Sequence, residues 1–233
     1  MSRLLAIDTA SALCSAALLL DGRLLQREFP TQRDHATLLL PMVDELLAEA
    51  GLTLAQLDAI AFGRGPGSFT GLRVAAAIAQ GMALGADLPL VPVSDLRALA
   101  LQGLSLAGVG GRAAPPALTL VACCMDARMG EVYAAFYEVP RDRSPGDSPE
   151  RVCAPTALQA PRPPDVLIGR GFEAYSAALE PLRAARPAEF AAAEPRAAEI
   201  ARLGAADFAA HGGVDVTAAL PVYLRDDVAR PAP

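Results

Sequence analysis

Apolar and polar positions fall first into short blocks. "RLLAIDT", "LCSAALLL" and "RLLQREF", at residues 3–9, 13–20 and 23–29, are of strand length, and Asp21-Gly22 between the last two is a hairpin signal. A β meander is predicted to open the chain. From Asp34, a good N-cap residue, the spacing lengthens: Leu38, Leu39, Met42, Val43, Leu46 and Leu47 recur at helical intervals, and Gly51 supplies a stop. Pro41 inside that span predicts a kink or a later helix start. With Leu40 included, the stripe is too wide for one sheet to cover, so one face is expected to await another helix. "LDAIAFG" then reads as a buried strand, "GRGPGSFTGLR" (63–73) as a glycine-rich turn, "LRVAAAIAQGMALGA" as a helix of many small residues and "PLVPVS" as a strand.

A Gly-, Ala- and Pro-rich stretch at 103–117 separates these from a second series, "ALTLVACCMD" and "EVYAAFYEV". Residues 7–18 and 125–136 echo each other, each a strand ending in Asp, a short turn and a strand containing Ala-Ala. Such duplication fits a two-lobed fold built from related halves. Residues 140–164 are Pro-rich and read as a surface excursion. Beyond them, "DVLIGRGFEAYSAALE" reads as strand, turn and helix, "AAEIARLGAADFAAHG" as a helix, and "LPVYLRDDVARPAP" as a short strand with a loose tail.

Composition narrows the function classes. A 53% hydrophobic content over 233 residues predicts a well-buried core. The net charge of −6, from 20 basic and 26 acidic residues, argues against unaided nucleic-acid binding, which rests on Lys and Arg neutralising phosphates. Cys14, Cys123, Cys124 and Cys153 show neither metal spacing nor a disulfide framework, as expected of buried or spare thiols in a reducing compartment. Asp8 interrupts the first apolar run and Gln80 the later one, so no secretory leader or membrane span is predicted and a cytoplasmic protein is expected.

The glycine turn fits no standard phosphate loop. No spacing of Gly63, Gly65, Gly67 and Gly71 gives a Walker A sequence, and the dinucleotide pattern lacks its third glycine in either register. There remains a helix start capped by Ser68 or Thr70, whose free N–H groups could take an anion. Against this stands a purely architectural use of the glycines, which the spacing favours. The candidate nucleotide or anion positions are Asp8, Gly65, Gly67 and Ser68. His35 and His211 form no metal pair, and Ser68 has no nucleophile elbow. Asp8 and Asp126, at the ends of the echoed strands, could hold a nucleotide-bound metal. Capping a turn is the commoner use of such a residue.

"LAIDTA" (5–10), "GRGPGSFTGLR" with "AQGMALG" (79–85), "DARMGEVY" (126–133) and "PVYLR" (221–225) together resemble the TsaB family, a bacterial subunit of the tRNA threonylcarbamoyladenosine synthesis machinery. The matches run from residue 5 to 225 and are weakest over 138–215. The resemblance implies an α/β fold of the actin-like, Hsp70 and sugar-kinase (ASKHA) type with two lobes of related topology. Residues 1–100 would form an N-terminal lobe bearing partner-binding helices and 101–233 a C-terminal lobe, with 221–233 packing back on the first.

The family's catalytic relative, TsaD, carries a metal-binding His-x-x-x-His after the strand equivalent to "PLVPVS". Asp95 and Leu99 stand there in this chain, and leucine cannot ligate a metal. The resemblance therefore implies a non-catalytic paralogue, not a metallopeptidase. The phosphate-loop glycines of active kinases are missing after both Asp8 and Asp126, so weak or no ATP hydrolysis is expected. No cofactor of its own is implied, and ATP or ADP in the assembled complex is left open. The implied partners are a TsaD-like catalytic subunit and a TsaE-like ATPase, with tRNA contacted only indirectly and a homodimer when the chain is alone. Partner-binding candidates are Leu39, Met42, Leu46 and Leu47 on the first helix and Val74, Ile78 and Met82 on the second, with about half of such positions expected to be core. The alternative is a small-molecule kinase or ATPase of the same fold, with Asp8 on a metal and the glycine turn near phosphate.

Overall fold

The predicted meander is present in the computed structural model, which describes residues 3–31, 33–109, 118–140 and 143–225. Strands β1 (Arg3–Asp8), β2 (Leu13–Leu20) and β3 (Arg23–Pro30) pair antiparallel, and Asp21 and Gly22 both adopt the positive φ that a tight hairpin requires. Helix α1 (His35–Ala50) leads to β4 (Ala59–Gly65), α2 (Phe69–Ala86), β5 (Leu90–Ser94) and α3 (Asp95–Val109). The second half contains β6 (Leu118–Arg128), β7 (Glu131–Pro140), β8 (Arg151–Cys153), β9 (Val166–Ile168), a single turn α4 (Gly171–Ala174), β10 (Ala188–Phe190) and α5 (Ala197–His211).

The two halves share one topology. The first sheet runs β3-β2-β1-β4-β5 and the second, read from its meander edge, β8-β7-β6-β9-β10. In each, an antiparallel meander is followed by two strands added in parallel. The echo between residues 7–18 and 125–136 is the first hairpin of each lobe, as the two-lobed α/β fold requires.

Strand alternation sorts the first sheet's side chains. Leu5, Ile7, Ile60 and Phe62 enter the core shared with α1 and α2, while Leu4, Ala6, Ala59 and Ala61 face α5. Ala6, Ala59 and Ala61 keep the middle of that face low, so α5 comes close: a methyl on Gly204 would lie 2.7 Å from the Ala61 Cβ. Helix α3 covers the inner face of the second sheet through Leu96, Leu99 and Ala100. The first lobe therefore uses a helix from beyond the expected division at residue 100.

Local expectations met four departures. The helix read in "FEAYSAALE" is only the single turn α4. Helix α1 runs unbroken through Pro41, so there is no later start; Pro41 and Thr37, whose carbonyl loses its usual donor, are both exposed residues. Asp34 occupies the N-cap position, but its side chain makes no capping bond. "LPVYLR" forms no strand and is tied to β4 through Val222 N donating to Arg64 O at 2.7 Å, while residues 226–233 lie outside those described. The Pro-rich excursion is anchored, with Arg97 Nε donating to Pro145 O at 2.6 Å and Ser148 Oγ to Phe136 O at 2.6 Å.

Candidate functional site

The glycine turn is built by what presses on it. Gly65 has φ +113°, and the Val222 carbonyl lies where a side chain would start. Gly63 lies against the carboxyls of Asp8 and Asp95, and Gly67 and Gly71 against the Thr9–Ala10 backbone. Ser68 N donates to Ala10 O at 2.7 Å and Thr9 Oγ1 to Gly71 O at 2.7 Å, which fastens the first hairpin loop to the start of α2. Ser68 is the N-cap, its Oγ accepting from Gly71 N at 3.4 Å. The loop's shape is accounted for by packing, as its spacing favoured.

Beside it, between the lobes, lies a cavity of about 670 Å³. Ser11, Gly67, Ser68 and Phe69 of the first lobe, Asp126, Arg128, Arg170 and Glu194 of the second half and Tyr223 to Arg225 of the tail all line it. Its arginines are already engaged. Arg128 pairs with Asp126 at 3.2 Å, Arg170 with Glu194 at 3.3 Å and Glu173 at 3.4 Å, and Arg225 with Glu131 at 2.5 Å. A polyphosphate would have to compete with these carboxylates, least strongly at Arg128, whose side chain is 82% exposed.

Of the nucleotide or anion candidates, Gly67 and Ser68 lie on the cavity, and Asp8 and Gly65 do not. Asp8 is fully buried, and its carboxyl turns back to accept from Ala10 N at 2.9 Å, so the expectation that it faces a ligand is corrected. Gly65 is sealed beneath the Val222 carbonyl. Asp126 caps its own turn, accepting from Arg128 N at 2.8 Å and from Tyr175 O–H at 3.0 Å.

His35 is buried beside the cavity, and burial lowers its pKa, so it is neutral near pH 7; His211 is exposed at the end of α5. Cys14 is buried, and desolvation, aided by the nearby Asp8 charge, pushes its thiol up to about 11, which leaves it an inert packing group at neutral pH. Among the described residues no three His, Cys, Asp or Glu side chains are grouped as metal ligands.

The helical surface requires a larger correction. Leu39 and Leu46 have no exposed surface and Leu47 has 8%, because 39, 43, 46 and 47 form the face of α1 packed on the first sheet. These three are core and cannot meet a partner. Met42, Val74, Ile78 and Met82 are half-buried, and three exposed neighbours were missed: Leu40 at 45%, Phe69 at 41% and Leu84 at 75%. Leu40 already belonged to the overwide stripe; Leu84 gave no signal in a helix apolar almost throughout. Arg73 links α2 to the tail, its guanidinium 3.7 Å over the Phe69 ring and its Nε donating to Tyr223 Oη at 3.1 Å.

Comparison with known proteins covers nearly the whole chain. The family model described as TsaD, tRNA N6-adenosine threonylcarbamoyltransferase, matches residues 30–232. A Haemophilus influenzae protein named tRNA threonylcarbamoyladenosine biosynthesis protein TsaB is 38% identical over 97% of this chain and 94% of its own length. The Escherichia coli protein of that name is 38% identical over 97% and 96%. The solved structure of YeaZ from Pseudomonas aeruginosa superposes with a TM-score of 0.84 at 38% identity, covering 96% of this chain and all of its own.

Proposed function

The chain belongs to the TsaB family, and from that membership we propose that it is a non-catalytic scaffold subunit in tRNA threonylcarbamoyladenosine biosynthesis. In this reading it supports a TsaD-like catalytic subunit, alongside a TsaE-like ATPase, in transferring a threonylcarbamoyl group to the adenosine next to the anticodon. The observation that carries the scaffold reading is the apolar surface left on α1 and α2. Leu40 and Leu84 are exposed, with the half-buried Met42, Ile78 and Met82 packed at the margin of the core. Exposed apolar surface of this kind is what a helix-on-helix interface consumes. The same surface would pair two copies when the partner is absent.

Two features weigh against the kinase alternative: Asp8 is buried away from the cavity, and the arginines on the cavity wall are paired. Nucleotide, where present, would then belong to the assembled complex, and the acidic balance fits indirect contact with tRNA in the cytoplasm.

Reconstituted threonylcarbamoylation with purified subunits tests the reading. Omitting the chain is expected to abolish modification, and Leu84→Glu, at an exposed site, to weaken capture of the catalytic subunit at least about tenfold while the circular-dichroism spectrum is retained. Modification without the chain would overturn the scaffold reading, and ATP turnover by the chain alone that Asp8→Ala abolishes would favour the enzyme alternative.

A further inference from the structure

The carboxyls of Asp8 and Asp95 have no part in the scaffold role, and their setting poses a separate chemical problem. Asp8 ends β1, Asp95 begins α3, and both are fully buried. They stand over the same atom of β4, since a methyl on Gly63 would strike Asp8 Oδ1 and Asp95 Oδ1 together. Asp8 Oδ1 accepts from Ala10 N at 2.9 Å and Asp95 Oδ2 from Gly65 N at 2.6 Å. Among the described residues, Asp8 Oδ2 and Asp95 Oδ1 receive no N–H or O–H donor.

The groups around the pair do not neutralise it. Glu194 ahead of α5, Glu150 from the anchored excursion and Cys14 of β2 face it. The cations on the adjoining elements are engaged elsewhere, Arg64 of β4 with Glu150 at 3.5 Å and Arg97 of α3 with Asp207 at 2.6 and 2.9 Å. Two buried carboxylates in contact cannot both stay ionised without a counterion. One proton between them turns two orphaned acceptors into a hydrogen bond.

We propose that Asp8 and Asp95 share a proton at neutral pH, and that this O–H···O bond clasps the end of β1 to the start of α3 beneath the glycine turn. Burial lifts both groups above the usual carboxylate range, and the Asp8 charge lifts Asp95 further, while the Ala10 and Gly65 amides oppose the rise. In the unfolded chain both ionise near about pH 4. The folded pair therefore holds protons that the unfolded chain has lost. Its stabilising contribution is full below the ordinary carboxylate range and declines as pH rises, the folding constant falling about tenfold per pH unit for each proton retained. Full ionisation would set two negative charges under Gly63 and loosen the wall that carries Gly67 and Ser68.

Urea unfolding of the full chain from about pH 5.5 to about pH 9, for the wild type, Asp8→Asn and Asp95→Asn, tests the clasp together with carboxyl ¹³C NMR of the aspartates. Asparagine at 95 keeps the acceptor for Gly65 N and supplies a permanent donor to Asp8. Its pH slope is expected to be shallower than wild type by at least one proton, about tenfold in folding constant per pH unit. One wild-type aspartate signal is expected to titrate above about pH 6. If every aspartate titrates below about pH 5, the clasp does not exist. Unchanged slopes in both variants would also refute it. Should the variants fail to fold, the wild-type NMR titration decides.

Discussion

Leu46 and Leu84 are chemically identical and lie on neighbouring helices, but Leu46 has no exposed surface and Leu84 has 75%. Leu46→Ala should remove core contacts with the first sheet and cost about 2–5 kcal/mol in urea unfolding. Leu84→Ala should cost less than about 0.5 kcal/mol, and its effect should appear instead in partner binding. Gly63→Ala would drive a methyl into two carboxyls at once and should be more damaging than a surface Gly→Ala such as Gly81→Ala, where a methyl meets nothing. A thermal melt of the two alanine variants measures that difference.

At the scale of elements, the start of α2 offers a sharp test. Ser68→Ala removes the cap on Gly71 N and is expected to cost about 1 kcal/mol of stability, with faster amide exchange confined to the first turn of α2. The meander, the strand–turn–helix around residues 59–86 and the duplicated hairpins were legible because their signals are local: a hairpin Asp-Gly, a cap, a periodicity. Helix α3 was hard to separate from β5 because it begins directly where that strand ends, with no connecting turn; its one local mark is Ser94, whose Oγ accepts from Arg97 N at 3.1 Å. The orientation of α1 was not legible either, since a stripe more than one face wide fits two rotations of the helix. The Asp8–Asp95 contact joins residues 87 apart through the fold, and no local pattern could announce it.

At the scale of the whole molecule, the lobes are joined by α3, by the anchored excursion and by the tail, whose Arg225 reaches Glu131 and the Arg128 carbonyl. Arg225→Ala should release the tail from the second lobe, costing about 1 kcal/mol or less, with hydrogen exchange rising at residues 220–225 and 128–131 together. The placement of α5 also bears on how the protein is made. Its helix supplies the cover for Leu4, Ala6, Ala59 and Ala61, residues synthesised well over a hundred positions earlier. A nascent chain halted at Val109 would carry that face bare, so the first lobe is expected to stay unsettled on the ribosome until α5 emerges. A fragment ending there should bind a hydrophobic dye and need chaperone help that the full chain does not, and a peptide of residues 197–225 added in trans should suppress the dye signal.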